Sequence, residues 1–153
     1  MELMNHWGAQ ILQSGSQGGP ANGDATYEAY PFHTRGIIGD TQVVGVADSG
    51  LDYGSCYFQD QSRPISTLAQ GTEFEDLSQR KILQYIAFAD VTEGETTGHG
   101  THVTGSVLGL ADNTGACATS CAGLTDGATT AAKYKGNAYG AKVAFYDIGI
   151  PNA

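Results

Sequence analysis

No stretch of this chain approaches the roughly 18 uninterrupted apolar residues of a membrane-spanning helix, so the sequence offers no transmembrane segment. The opening MELMNHWGAQILQ has neither a basic leader nor a long apolar centre, and it does not read as a signal peptide. Basic side chains are scarce. Seven Lys and Arg stand against 16 Asp and Glu, for a net charge of −9. That balance argues against nucleic acid, whose phosphates call for a basic face, and against an anionic membrane surface. Cysteine is also sparse, with Cys56, Cys117 and Cys121 the only three. The C-x-x-x-C pair admits one local disulfide in an oxidising compartment. Three cysteines without further ligands are too few for a structural zinc site. There is no internal repeat, and no collagen-like period accounts for the 22 glycines.

What remains is enough for one domain with a core: 153 residues, 41% hydrophobic and only 15% charged. Residues 1–35 read as an irregular N-terminal segment, rich between 13 and 34 in Gly, Ser, Gln, Pro and Asn. VVGVA at 43–47 is a short β-branched run followed by Asp, Ser and Gly, the pattern of a buried strand ending in a turn. Residues 61–81 are mixed and polar, and FEDLSQRK within them is weakly helical. KILQYIAFA at 81–89 predicts a second buried strand, with Tyr85 and Phe88 as core. Val103, Val107 and Leu110 fall at helical spacing. The glycines beside them suit a helix packed close to a sheet. Residues 111–140 read as a long loop, and AKVAFYDIG at 141–149 predicts a third strand. Strand, helix and strand in alternation imply an α/β fold on a parallel sheet. The aromatics Trp7, Tyr27, Tyr30, Tyr53 and Tyr57 read as packing or surface residues rather than a binding platform.

In such folds the reacting groups collect at the carboxyl ends of the strands. Asp48 directly follows the first predicted strand, and His99 opens the predicted helix 51 positions later. A buried carboxylate beside an imidazole accepts its Nδ1–H, fixes the tautomer and stabilises the imidazolium. The other ring nitrogen can then deprotonate a serine hydroxyl. Plainer readings exist for each part. Asp48 alone is an ordinary turn former. His99 and His102 could be helix-end residues or metal ligands, but H-G-T-H lacks the glutamate of H-E-x-x-H. The glycines of GIIGDTQVVGVADSG precede the strand, where a dinucleotide fingerprint has them after it. Phosphoaspartate chemistry would want a second aspartate two positions after Asp48, and Gly50 stands there.

Taken together, VVGVADSGLD and GHGTHVTGSVLG resemble the aspartate and histidine motifs of the subtilisin-like serine proteases. KILQYIAFAD and YGAKVAFYDIG resemble the next strands of that fold, so the likeness runs over about 36–110 and 139–149. It implies a three-layer α/β fold and one partial peptidase domain over 1–153, with the motif region at 36–153. It also implies Asp48 as the triad aspartate, His99 as its base and His102 as a structural residue, with Gly50 and Gly100 permitting tight turns beside them. The implied activity is endopeptidase cleavage of an extended peptide or protein, held beside the sheet as an added strand, in a secreted or lumenal setting. No cofactor is required for that chemistry. In relatives an acidic residue after the first strand and the loop after the histidine helix can hold a structural calcium. Asp60, Asp112 and Asn113 are the matching oxygen donors here.

The sequence departs from the family where the nucleophile should be. No G-T-S-x-[AS] stretch occurs, Ser49, Ser55, Ser106 and Ser120 lie in other contexts, and Asn137 precedes the strand that the oxyanion asparagine follows. The chain therefore reads as a truncated catalytic domain that is inactive alone. The rival reading is a non-catalytic pseudoprotease or binding module. A parallel sheet of three strands would also leave a bare edge.

Overall fold

The computed structural model describes residues 8–15, 30–89, 98–111 and 135–149. Four strands form one sheet: β1 (Val43–Asp48), β2 (Glu73–Glu75), β3 (Ile82–Ala87) and β4 (Lys142–Asp147), in the order β1-β4-β3-β2. β4 is parallel to both neighbours, and β2 is antiparallel to β3. β3 passes to β4 through α3 (His99–Leu108), the crossover that a parallel pair needs. The α/β class read from the alternation of elements is the class observed.

β4 is apolar on both faces and sits in the middle, with Val143, Ala144 and Phe145 buried. The core lies on one side of the sheet. Leu51, Tyr53 and Phe58 from the segment after β1, with Leu108 of α3, close over Ile82, Tyr85, Ala87, Val143 and Phe145. Tyr85 stacks on Phe145 at 5.3 Å between ring centres and meets the edge of Tyr53 at 6.0 Å. Each fully buried large side chain contributes on the order of 1.5–3 kcal/mol, and each aromatic pair about 1 kcal/mol more.

Several sequence expectations shift. The pattern of β1 predicts a buried strand, yet β1 alternates, with Val44, Val46 and Asp48 half-buried and Val43, Gly45 and Ala47 exposed. It stands at the sheet's edge among the described residues, so an apolar run there does not mean two covered faces. FEDLSQRK is not helical. Its first residues form β2, and Asp76 then turns the chain, with Oδ1 accepting from the Ser78 N–H and hydroxyl. The irregular 1–35 segment contains two short helices, α1 (Gly8–Ser14) and α2 (Pro31–Thr34). Pro31 presets φ at the start of α2. The N–H groups of Phe32 and His33 donate to Gln13 Oε1 on α1, a cap supplied from far along the chain.

Phe88, expected in the core, lies beyond the end of β3, is 56% exposed and stacks on Tyr146. Helix α3 exists as predicted, but its buried line is Gly100, Thr104 and Leu108, one residue round from the Val103/Val107/Leu110 stripe. Val107 still packs against the core from the side. Of the aromatics set aside as packing or surface groups, Tyr53 is buried, while Trp7 and Tyr27 lie outside the described residues.

Candidate active site

The carboxyl ends of β1 and β4 run side by side, with Asp48 opposite Asp147 in register. Directly after Asp48 the chain turns through Gly50 at φ +107°, a conformation that side-chain-bearing residues rarely adopt. That turn receives the start of α3. A Cβ on Gly100 would lie 2.2 Å from the Gly50 carbonyl oxygen and 3.1 Å from Asp48 Cβ, so only glycine lets the helix approach this closely. The Asp52 N–H donates to Thr101 Oγ1 at 2.8 Å and pins the same loop to the first turn of the helix.

This approach brings His99 to Asp48. His99 Nδ1 lies 2.8 Å from Asp48 Oδ1, between residues 51 positions apart in the chain. The carboxylate is largely shielded, with 15% of its side chain exposed, whereas the imidazole is 67% exposed. The same Oδ1 accepts from the Ser49 N–H at 2.8 Å and the Ser49 hydroxyl at 3.1 Å. Burial alone would raise the Asp48 pKa. The His99 hydrogen bond and then the two from Ser49 outweigh it and hold the carboxyl below its ordinary value. Asp48 is therefore anionic at neutral pH, and His99 Nδ1 is the donor of the pair.

The chain belongs to the subtilase family. The match runs over residues 39–153 and so contains the whole Asp48–His99 arrangement. Three Dictyostelium discoideum proteins, each named serine protease/ABC transporter B family protein, are similar. TagD is 33% identical over 112 residues, 73% of this chain and 5% of its own length. TagB is 34% identical over 114 residues, again 73% and 5%. TagA is 30% identical over 130 residues, 84% and 6%. This subtilase chain thus spans about a twentieth of the length of the curated relatives it matches. No solved structure matches it closely enough to count.

The other expected positions of the subtilase chain are distributed as follows. His102 is half-buried in α3, and its backbone N–H donates to Gly98 O. Asn137 is engaged in the turn before β4, where its N–H and Nδ2–H both donate to Ser106 O. Asp60 lies in the loop after the core segment, its carboxylate engaged by Ser62 and by the Arg80 N–H. Asp112, Asn113, Cys117, Cys121 and Ser120 lie outside the described residues. Cys56 is buried, and burial raises its thiol pKa.

Four residues at the site are not singled out by any sequence motif argument: Ser49, Thr101, Tyr85 and Asp147. The Tyr85 hydroxyl donates to the buried Asp147 Oδ2 at 2.9 Å and accepts from the Leu51 N–H at 3.4 Å, tying β3, β4 and the turn after Asp48 together. No signal marks Asp147, which falls inside the predicted 141–149 strand rather than directly after one as Asp48 does. Ser49 and Thr101 carry none beyond their place in the motifs.

Proposed function

We propose that these residues form the base-bearing half of a serine endopeptidase site. The observation that carries the reading is the 2.8 Å contact between His99 Nδ1 and Asp48 Oδ1. Asp48 fixes the tautomer in which Nδ1 holds the proton, so Nε2 is the basic nitrogen. Nε2 takes the proton of a serine hydroxyl as that oxygen attacks the scissile carbonyl, and then returns it to the leaving amine. Asp48 stabilises the imidazolium between those two steps without itself becoming protonated. The 153 residues hold no G-T-S-x-[AS] stretch, so the nucleophile and the oxyanion donor come from residues outside them. The substrate is an extended peptide, the chemistry needs no cofactor, and the setting is secreted or lumenal.

A fluorophosphonate probe tests this directly. The 153-residue chain should not label, whereas a longer product of the same gene carrying the serine should. In that longer product His99→Ala should lower turnover by about 10⁴ or more. Labelling of the short chain alone would sink the proposal, as would a full product indifferent to His99→Ala. A stop codon immediately after Ala153 would favour the non-catalytic rival.

A further inference from the structure

Of the residues that the resemblance implies for a structural calcium, Asp60 lies among the described residues, and Asp112 and Asn113 lie outside them. Calcium gathers roughly 6–8 oxygens at about 2.3–2.6 Å. Asp60 already has both carboxylate oxygens engaged. Its Oδ1 accepts from the Ser62 N–H at 3.1 Å and the Ser62 hydroxyl at 2.7 Å, and its Oδ2 accepts from the Arg80 N–H at 3.0 Å. The hydrogen bond from the Ser62 hydroxyl leads the burial effect and, with the Arg80 and Ser62 N–H groups, holds the carboxyl below its ordinary value. Among the described residues, no group of three or more His, Cys, Asp or Glu side chains could hold a metal ion.

Three backbone carbonyls at the corner near Asp60 are engaged by a side-chain cation. The guanidinium of Arg80 donates from Nη1 to Leu110 O at 2.7 Å, from Nε to Gln59 O at 3.1 Å and from Nη2 to Cys56 O at 3.4 Å. Those carbonyls belong to two separate pieces of chain: residues 56–59, where the core segment runs into the Asp60 loop, and the exit of α3. The end of a helix carries partial negative charge and favours a cation. A planar guanidinium with five diverging donors suits three carbonyls approaching from different directions, and its charge is permanent.

We propose that Arg80 is the resident structural cation of this corner, doing with hydrogen bonds what the family resemblance would assign to calcium at Asp60. Its backbone fastens the Asp60 loop to the start of β3, and its side chain fastens that loop to the exit of α3. The far end of the helix that presents His99 is thus held by a side chain rather than by a metal. The assignment does not depend on proteolysis, and the two readings fail separately.

The test uses the purified chain, with its thermal or urea midpoint and amide NMR spectrum as readouts. The midpoint should be the same in chelator and in millimolar calcium chloride, and the amides of Gln59, Asp60 and Leu110 should not move. A calcium-dependent rise that Asp60→Asn abolishes would overturn the proposal. A rise that survives Asp60→Asn and leaves the amides of Gln59, residue 60 and Leu110 unmoved would put the ion elsewhere and support the assignment of this corner to Arg80, whereas one that moves them would overturn it. Arg80→Met keeps the apolar stem but strands three carbonyls, and it should lower the melting midpoint by about 5 °C or more. Arg80→Lys, with a compact ammonium in place of the fork, should recover only part of that loss. An unchanged midpoint in Arg80→Met would overturn the proposal. The calcium titration of the unmodified chain decides between arginine and metal even if that variant fails to fold.

Discussion

Asp48 accepts three hydrogen bonds on one oxygen, two from its neighbour Ser49 and one from His99. The local pair fixes the carboxylate from within the D-S-G turn, independently of the distant imidazole. Asp48→Asn keeps the shape but removes the charge that holds the imidazolium. In a complete enzyme this should lower turnover by about 10⁴. In the 153-residue chain the low-field proton resonance of His99 Nδ1–H should disappear. An unchanged resonance would mean that the pair is not formed in solution. The Asp48 pKa is depressed below 3.8 in the fold. Its stabilising effect is therefore full above that value and fades only as pH falls through the lower folded value. At this scale the sequence is readable where a motif names a residue type, as for Asp48, His99, Gly50 and Gly100. It is silent on Tyr85 and Asp147, whose partnership joins positions 62 apart on neighbouring strands.

Among the elements, β3, β4 and α3 are legible because their apolar patterns are long. The differences fall where a few residues compete. Glu73–Glu75 is too short for its alternation to outweigh the helical bias of the residues after it. The better signal is Asp-x-Ser, which marks turns at both Asp60 and Asp76. The phase of α3 departs from its apolar stripe because two glycines, Gly50 and Gly100, set which face meets the sheet, and no apolar pattern records that.

Helix α2 is unreadable in the sequence because its support is remote. His33 Nε2–H donates to Asn137 O at 2.8 Å, and the ring stacks on Tyr30 and meets the edge of Tyr139. Its Nδ1 is buried without a partner among the described residues. Burial lowers the His33 pKa below 6.5, the Asn137 carbonyl opposes this, and Lys135 adds to it. The unfolded chain therefore binds this proton first, and the stability given by the neutral ring is lost as pH falls from 6.5 through the folded value. Amide protection factors across 30–37 should fall over that window while those of β3 and β4 hold, and His33→Leu should flatten the response. Equal protection of α2 at pH 7 and at pH 5 would refute this.

At the scale of the whole molecule, the strand order reverses what the chain order suggests. β4, the last strand, is central, and β1, which carries Asp48, lies at the margin of the described sheet. Alternation of elements reveals the class, but only the pairing shows which strand is enclosed. β1 is as apolar as a central strand, yet among the described residues it presents an unpaired backbone edge and an exposed face that includes Val43, 52% exposed. A parallel sheet is ordinarily covered on both faces. An edge whose exposed face, Val43, Gly45 and Ala47, carries no charge is a template for pairing with another chain. The 153-residue chain should therefore self-associate as its concentration rises. Val43→Lys with Ala47→Lys places two charges on the exposed face. The double variant should suppress the association while changing the unfolding free energy by no more than about 1 kcal/mol, since neither side chain is buried. Sedimentation velocity across a concentration series distinguishes the cases. A wild-type chain that stays monomeric throughout would show that this edge is closed in solution, and an association that the two lysines leave intact would place the contact on another surface.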